Sequence, residues 1–318
     1  MINVVLLGTV EFSLAMLKVL KGTDEVRVQA VFQVDEEHSK GISDWADLAP
    51  TCMTRDIEHV AGAKVCTPEN ISRIYALNPD LLLVMGLSEL IPPELLELPT
   101  VGSHPSILPK NRGHAAIPWQ ILNHERQGAV TFFRMVDRVD AGPILFQGMF
   151  DISPMATART VYDSVIRAGK ETMRSLVWYV GEWGELPKGV LQEDSEATYL
   201  PRRTDADGRI DWRAPAMEIH DLVRATTHPY PGAFTFLNGP KIRVWEASAW
   251  VGDPISGTPG RITGVCTGGG VGISTHDGGV NLIRVSGDGG PEMTAFEFLQ
   301  TRMTSHGLAC EMLGARFS

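Results

Sequence analysis

Ile2-Asn3-Val4-Val5-Leu6-Leu7-Gly8-Thr9-Val10-Glu11-Phe12 opens the chain with an apolar run that stops at a glycine, and apolar residues then recur at helical spacing to Leu20. The run reads as a strand and the recurrence as a helix. Residues 28–34, 81–85 and 129–136 repeat the strand texture. This alternation predicts an α/β fold, a Rossmann-like and mostly parallel sheet covered on both faces. Ligands are then expected beyond the carboxyl ends of the strands, and catalytic residues where strands stop. Gly8 lets backbone approach a ligand as the next helix starts, or it simply makes a tight turn. No further glycines stand at the offsets of a dinucleotide fingerprint, so nicotinamide and flavin roles have little support.

Downstream, residues 157–179 keep helical spacing until Gly181, Gly184, Pro187 and Gly189 interrupt it. The charged, turn-rich segment 201–208 reads as a linker and residues 216–225 as a new helix. Residues 241–249, 270–274 and 280–285 are short strands between Gly, Pro and Asp turns, which predicts a small β-rich, OB-like barrel or a sandwich. The expected domains are therefore 1–200, catalytic, and 201–318, accessory. No internal repeat is visible.

A chain of 318 residues, 43% hydrophobic, supports two ordinary cores. Its formal net charge of −10 and its dispersed Lys and Arg argue against a phosphate-backbone partner. The apolar run at residues 4–7 follows no basic segment and is too short for a membrane span or a signal-peptide core. Cys52, Cys66, Cys266 and Cys310 are widely scattered, giving neither a metal pair nor a disulfide framework, and a reducing cytoplasm fits them best.

The chemistry concentrates in residues 101–147: Val-Gly-Ser-His-Pro-Ser-Ile-Leu-Pro-Lys-Asn-Arg-Gly from 101, then Ile117-Pro118-Trp119, then Val139-Asp140-Ala141-Gly142-Pro143-Ile144. His104, just after an apolar strand edge, can face a cleft and exchange protons near neutral pH. Asp140, charged within an uncharged run, is either its partner or the residue closing an Asx turn.

This segment closely resembles the signature of the formyltransferases that use 10-formyltetrahydrofolate. Their pattern is Asn-x-His-x-Ser-Leu-Leu-Pro-x-x-Arg-Gly with an Asp some three dozen residues later. The chain matches at His104, Ser106, Leu108, Pro109, Arg112, Gly113 and Asp140. The likeness extends to Leu7-Gly8-Thr9 and Glu11-Phe12, and to Ile210-Asp211-Trp212 and Pro229-Tyr230-Pro231-Gly232-Ala233-Phe234 of the second domain. It implies that His104 and Asp140 are the catalytic pair, and that no metal is needed. The folate would lie along Met85, Gly86, Leu87 and Leu90, with Val139 and Asp140 opposite. Gly8, Thr9, Ser106 and Arg112 are expected against the substrate, although Arg112 could instead brace its loop.

One position departs from the pattern: Gly102 stands where the family has Asn. On an extended strand it shares the face of His104 while Ser103 points away. Losing that amide removes an oxyanion donor of a kind worth about 3 kcal/mol, and the open space is expected to admit water or substrate. The acceptor amine is expected to be small, a nucleotide-linked amino sugar. Residues 33–50 carry Asp35, Glu36, Glu37, Asp44 and Asp47 against Lys40, which would repel tRNA. A methionyl-tRNA acceptor, a hydroxyornithine-type acceptor and a catalytically impaired folate-binding module remain the alternatives. The sequence leaves the oligomeric state open, a homodimer included.

Overall fold

The computed structural model describes residues 1–54, 57–237, 239–252, 258–303 and 317, so Cys310 lies outside the described residues. The chain forms two compact units. The first comprises Met1–Ala116, Arg126–Ile152 and Tyr162–Arg202, and the second Ile117–Glu125, Ser153–Val161 and Arg203–Ser318.

The strands in chain order are β1 Ile2–Leu7, β2 Val26–Val34, β3 Glu58–Gly62, β4 Leu81–Val84, β5 Thr100–His104, β6 Arg112–Gly113, β7 Gln127–Arg134, β8 Ile144–Asp151 and β9 Tyr199–Leu200. Helices α1 Glu11–Lys21, α2 Ala49–Met53, α3 Pro68–Leu77, α4 Pro93–Leu96, α5 Ala116–Leu122 and α6 Ala158–Trp183 lie among them. The main sheet runs β3-β2-β1-β4-β5-β7-β8, parallel from β3 to β5 and antiparallel at β7 and β8. All four residues of β4 are buried, as are five of the six in β1, as a sheet covered on both faces requires. Val5, Leu7, Ala30, Phe32, Val34, Leu82 and Val84 alternate onto one face and pack with Ile74 and Leu95.

The predicted strand and helix at the amino end are β1 and α1. The strand expected at 129–136 starts earlier, at Gln127, and ends at Arg134, with Met135 N–H still bonded across to the carbonyl of Thr100 in β5. β3 was not predicted: Glu-His-Val-Ala-Gly is polar and short, as suits an edge strand.

The second unit holds α7 Ala216–Thr226 and an antiparallel sheet of β10 Ala233–Phe236, β11 Lys241–Val251, β12 Ile262–Cys266, β13 Gly270–Ser274 and β14 Gly278–Gly287. The sheet order is β10-β11-β14-β13-β12, with β15 Met293–Thr294 on β14 and α8 Ala295–Met303 following. Its core gathers Trp212, Ile219, Val223, Val244, Ile273, Val280 and Phe298. The segment read as a linker contains a short 3-10 turn, Asp205–Gly208.

What aligns the strand ends near the site is Ser13, a fully buried hydroxyl on the first turn of α1. It accepts the N–H groups of Thr9 at 2.9 Å and Val10 at 3.1 Å and donates to the carbonyl of Met85, just past β4. One side chain thus joins the turns after β1 and β4. Gly8 is required beside it, since a Cβ there would sit 2.6 Å from both the Met85 carbonyl and the Ser13 hydroxyl. Replacing Ser13 by Ala strands two buried donors and an acceptor, so Ser13→Ala is expected to lower unfolding stability by about 2–3 kcal/mol. Urea denaturation will measure it, and a loss under about 0.5 kcal/mol would show that water takes over these bonds.

Candidate active site

β5 delivers His104 as its last residue, and the chain then loops through residues 105–111 to β6. The loop is held by its own polar groups. Ser106, with no solvent exposure, donates through Oγ to the Lys110 carbonyl at 2.9 Å, and its own carbonyl accepts from Thr131 Oγ1 at 2.7 Å. Asn111 has φ of +61°. Its N–H donates to Thr198 Oγ1 at 2.8 Å.

Arg112 is completely enclosed. Its Nε and Nη2 donate to Gln192 Oε1 at 3.1 and 2.9 Å, and its Nη1 donates to Asp194 Oδ1 at 3.1 Å and Tyr199 Oη at 2.9 Å. Asp194 is shared with Arg138, whose two hydrogen bonds, followed by that of Arg112, hold the carboxyl down at about 2. β6 adds a parallel pairing with β9. Arg112 therefore braces the loop, and the substrate role expected for it gives way: the guanidinium is fully enclosed, and four of its five N–H groups are held by protein acceptors. Ser106 is corrected for the same reason.

His104 and Asp140 come together. His104 Nδ1 lies 3.4 Å from Asp140 Oδ2, with side chains 7% and 15% exposed. His104 Nε2 lies 2.6 Å from the Asn111 carbonyl, an acceptor only, so Nε2 carries the hydrogen in that contact. Asp140 Oδ2 accepts the Gly113 N–H at 2.9 Å, a partner 27 positions away, so the carboxylate reaches across to the signature loop. A proton received at Nδ1 would face a carboxylate, as suits a ring that takes up an amine proton or supports a developing oxyanion.

Gly102 is on the face of His104, but the open space expected beside it is filled. A Cβ there would lie 3.0 Å from Met135 Cγ, 3.1 Å from Met135 Sδ and 3.1 Å from Phe133 Cζ. The volume that a family Asn would take belongs to a thioether and a ring.

Gly8 and Thr9 are also structural. Thr9 is 2% exposed, and its Oγ1 bonds to the backbone of Val34 at the end of β2. Among the expected folate contacts, Met85 is buried and its carbonyl is taken by Ser13, while Leu87 packs on the core. Gly86 takes φ of +70°, and a Cβ there would lie 2.2 Å from Val10 Cγ2. The apolar side chains left uncovered are Leu90 at 84% and Val139 at 50% exposure. Such surface on two loops suits a flat, partly apolar ring. Gln192, Thr198 and Tyr199 were missed, since nothing in their local sequence marks them. Among the described residues no cluster of three or more His, Cys, Asp or Glu is gathered for a metal.

Residues 2–177 match the formyl transferase family and residues 203–303 the formyl transferase C-terminal domain. The chain belongs to the formyl transferase family. A methionyl-tRNA formyltransferase of Acetivibrio thermocellus is 31% identical over 316 residues, covering 98% of this chain and 99% of that one. HypX from Aquifex aeolicus, solved with tetrahydrofolic acid, superposes with a TM-score of 0.68 at 19% identity over 96% of this chain and 48% of its own, so the chain spans about half of HypX. An N-formyltransferase from Helicobacter canadensis, solved with folinic acid and dTDP-3-aminofucose, gives a TM-score of 0.62 at 18% identity over 89% and 99%. The chain is thus a transferase whose formyl donor is of the folate type, 10-formyltetrahydrofolate.

The packing beside Gly102 makes a test. Gly102→Asn is expected to lower stability by about 1–3 kcal/mol through overpacking, and adding Met135→Ala should recover at least half of the loss in urea unfolding. An unperturbed Gly102→Asn single variant would mean that Met135 moves aside freely.

Proposed function

We propose that this formyl transferase acts on the amine of a small acceptor, a nucleotide-linked amino sugar, with His104 and Asp140 as its catalytic residues. The observation that carries the chemistry is the His104–Asp140 contact at the end of β5. When bound, 10-formyltetrahydrofolate supplies the formyl carbon. During transfer a new bond forms from the acceptor nitrogen to that carbon, the carbon's bond to the donor nitrogen breaks, and one proton passes between the two nitrogens. His104 serves that proton or supports the oxyanion; the Asn111 carbonyl orients the neutral ring through Nε2, and Asp140, facing Nδ1, pairs with the ring once it is positively charged. Leu90 and Val139 would flank the pterin, with backbone groups of 85–90 and 136–140 at its edge.

The acceptor class rests on the loop after β2. Its segment 44–46 folds onto the turn after β1: Glu11 N–H donates to the Asp44 carbonyl at 2.8 Å, Ala46 N–H donates to the Thr9 carbonyl at 3.1 Å, and Tyr162 Oη donates to Asp44 Oδ2 at 2.5 Å. Glu36 and Glu37 stay exposed on the same loop. Negative charge held at the strand ends opposes the many phosphates of a tRNA backbone more than the one phosphate linkage of a nucleotide-linked sugar. The Helicobacter canadensis neighbour, solved with an amino-sugar nucleotide, agrees with this reading. The methionyl-tRNA reading has its own observation, the 31% identity to the Acetivibrio thermocellus enzyme over nearly the full length. In this proposal residues 1–200 form the catalytic domain and 201–318 the accessory one, working in a reducing cytoplasm in which Cys52, Cys66 and Cys266 stay free thiols.

Two measurements test it. His104→Ala and Asp140→Ala are each expected to cut turnover at least about a hundredfold with the fold intact, and a near-normal rate in either removes that residue from the mechanism. Given 10-formyltetrahydrofolate and a panel of nucleotide-linked amino sugars, hydroxyornithine and charged initiator tRNA, the protein should formylate a sugar amine at least about a hundredfold more efficiently than the tRNA at about 0.15 M salt. Efficient tRNA formylation under those conditions would sink the small-acceptor reading, and folate binding without turnover of any amine would favour a binding module.

A further inference from the structure

Gln192 is half-buried, lies 52 positions from Asp140 and belongs to no recognisable sequence pattern, yet all four hydrogen-bonding positions of its amide are used. Oε1 accepts twice from Arg112, at 3.1 and 2.9 Å. Nε2 donates twice, to the carbonyl of Asp140 at 2.8 Å and to the carbonyl of Gly142 at 2.7 Å. The orientation of the amide follows from its neighbours: a guanidinium only donates and a carbonyl only accepts, so a flipped amide would set donor against donor on one side and acceptor against acceptor on the other.

The backbone puts it there. Val190 and Ile144 exchange both of their N–H to carbonyl bonds at 2.8 Å, as an antiparallel pair. Two residues further along, antiparallel pairing brings Gln192 opposite Gly142. The residue it reaches is conformationally demanding, because Asp140 has φ of +51°, a region that non-glycine residues enter at a cost. The backbone of Asp140 is therefore held through its carbonyl by Gln192, and its side chain through Oδ2 by Gly113 N–H.

We propose that Gln192 is a positioning residue for formyl transfer: it fixes the left-handed turn that aims Asp140 at His104 and couples that turn to Arg112 in the signature loop. This rests on the catalytic reading of His104 and Asp140 given above. Few other residues can do the same. Glu can accept from Arg112 but presents a carboxylate to two carbonyls, Met fills similar space and makes none of the four bonds, and Asn is one methylene too short.

The test is a double-mutant cycle on the full chain. Initial rates of tetrahydrofolate release from 10-formyltetrahydrofolate, with the best acceptor of the panel, are compared for wild type, Gln192→Glu, Asp140→Asn and the pair, each checked by circular dichroism and thermal melting. Gln192→Glu is expected to lower kcat about ten- to a hundredfold, the scale set by a misplacement near 1 Å, while KM for both substrates stays within about twofold. In the Asp140→Asn background the same substitution should cost less than about a further twofold, since a residue acting through Asp140 has nothing left to position. If Gln192→Glu does not fold, Gln192→Met carries the same expectation. A normal loss in Asp140→Asn with Gln192→Glu within about twofold of wild type, or with losses that multiply in the pair, overturns the role of Gln192 alone. A near-normal rate in Asp140→Asn by itself overturns the reading of the site, and this inference with it.

Discussion

A guanidinium taken wholly out of water has to be surrounded by acceptors, because the alternative is an unpaired buried charge whose desolvation nothing offsets. Arg112 meets that requirement with Gln192, Asp194 and Tyr199, three side chains from a stretch of eight residues. Satisfying one charge fixes the path of two separate pieces of chain. The signature loop cannot drift from the segment 192–199 without uncovering Arg112, and that segment in turn holds the turn carrying Asp140 through Gln192.

The parallel strands supply the other half of the geometry. β1, β4 and β5 end side by side, so the turns that follow them occupy neighbouring positions whatever their sequences. Ser13 locks two of these turns together, and β5 places His104 beside them. His104 is then held by the Asn111 carbonyl, whose own residue is fixed by Thr198. His104 and Asp140 are thus both seated on backbone that the segment after α6 controls.

Alternating texture exposed the sheet, because β-branched runs and helical recurrence are local signals. His104 and Asp140 were legible because a titratable residue in an apolar run is conspicuous and because the motif has a known spacing. Arg112 could be read in two ways, and burial decided between them. Gln192 and Thr198 were illegible for a physical reason: their partners lie 50 to 87 positions away, and a neutral amide or hydroxyl in a loop looks the same whether solvated or fully engaged. Gly102 misled in the opposite sense. A missing side chain suggests a gap, whereas Phe133 is its cross-strand partner and Met135 lies just past the end of β7, and both fold into that volume.

The pairing of β6 with β9 bears on how such a chain can be cut and recombined. The family match to the first domain ends at residue 177, and α6 ends at Trp183, which looks like the natural seam for exchanging whatever follows. A graft made there would keep every signature residue and discard Gln192, Asp194, Thr198 and Tyr199, leaving Arg112 buried without acceptors. The inheritable module therefore extends through Leu200, and hybrids between relatives should join beyond it.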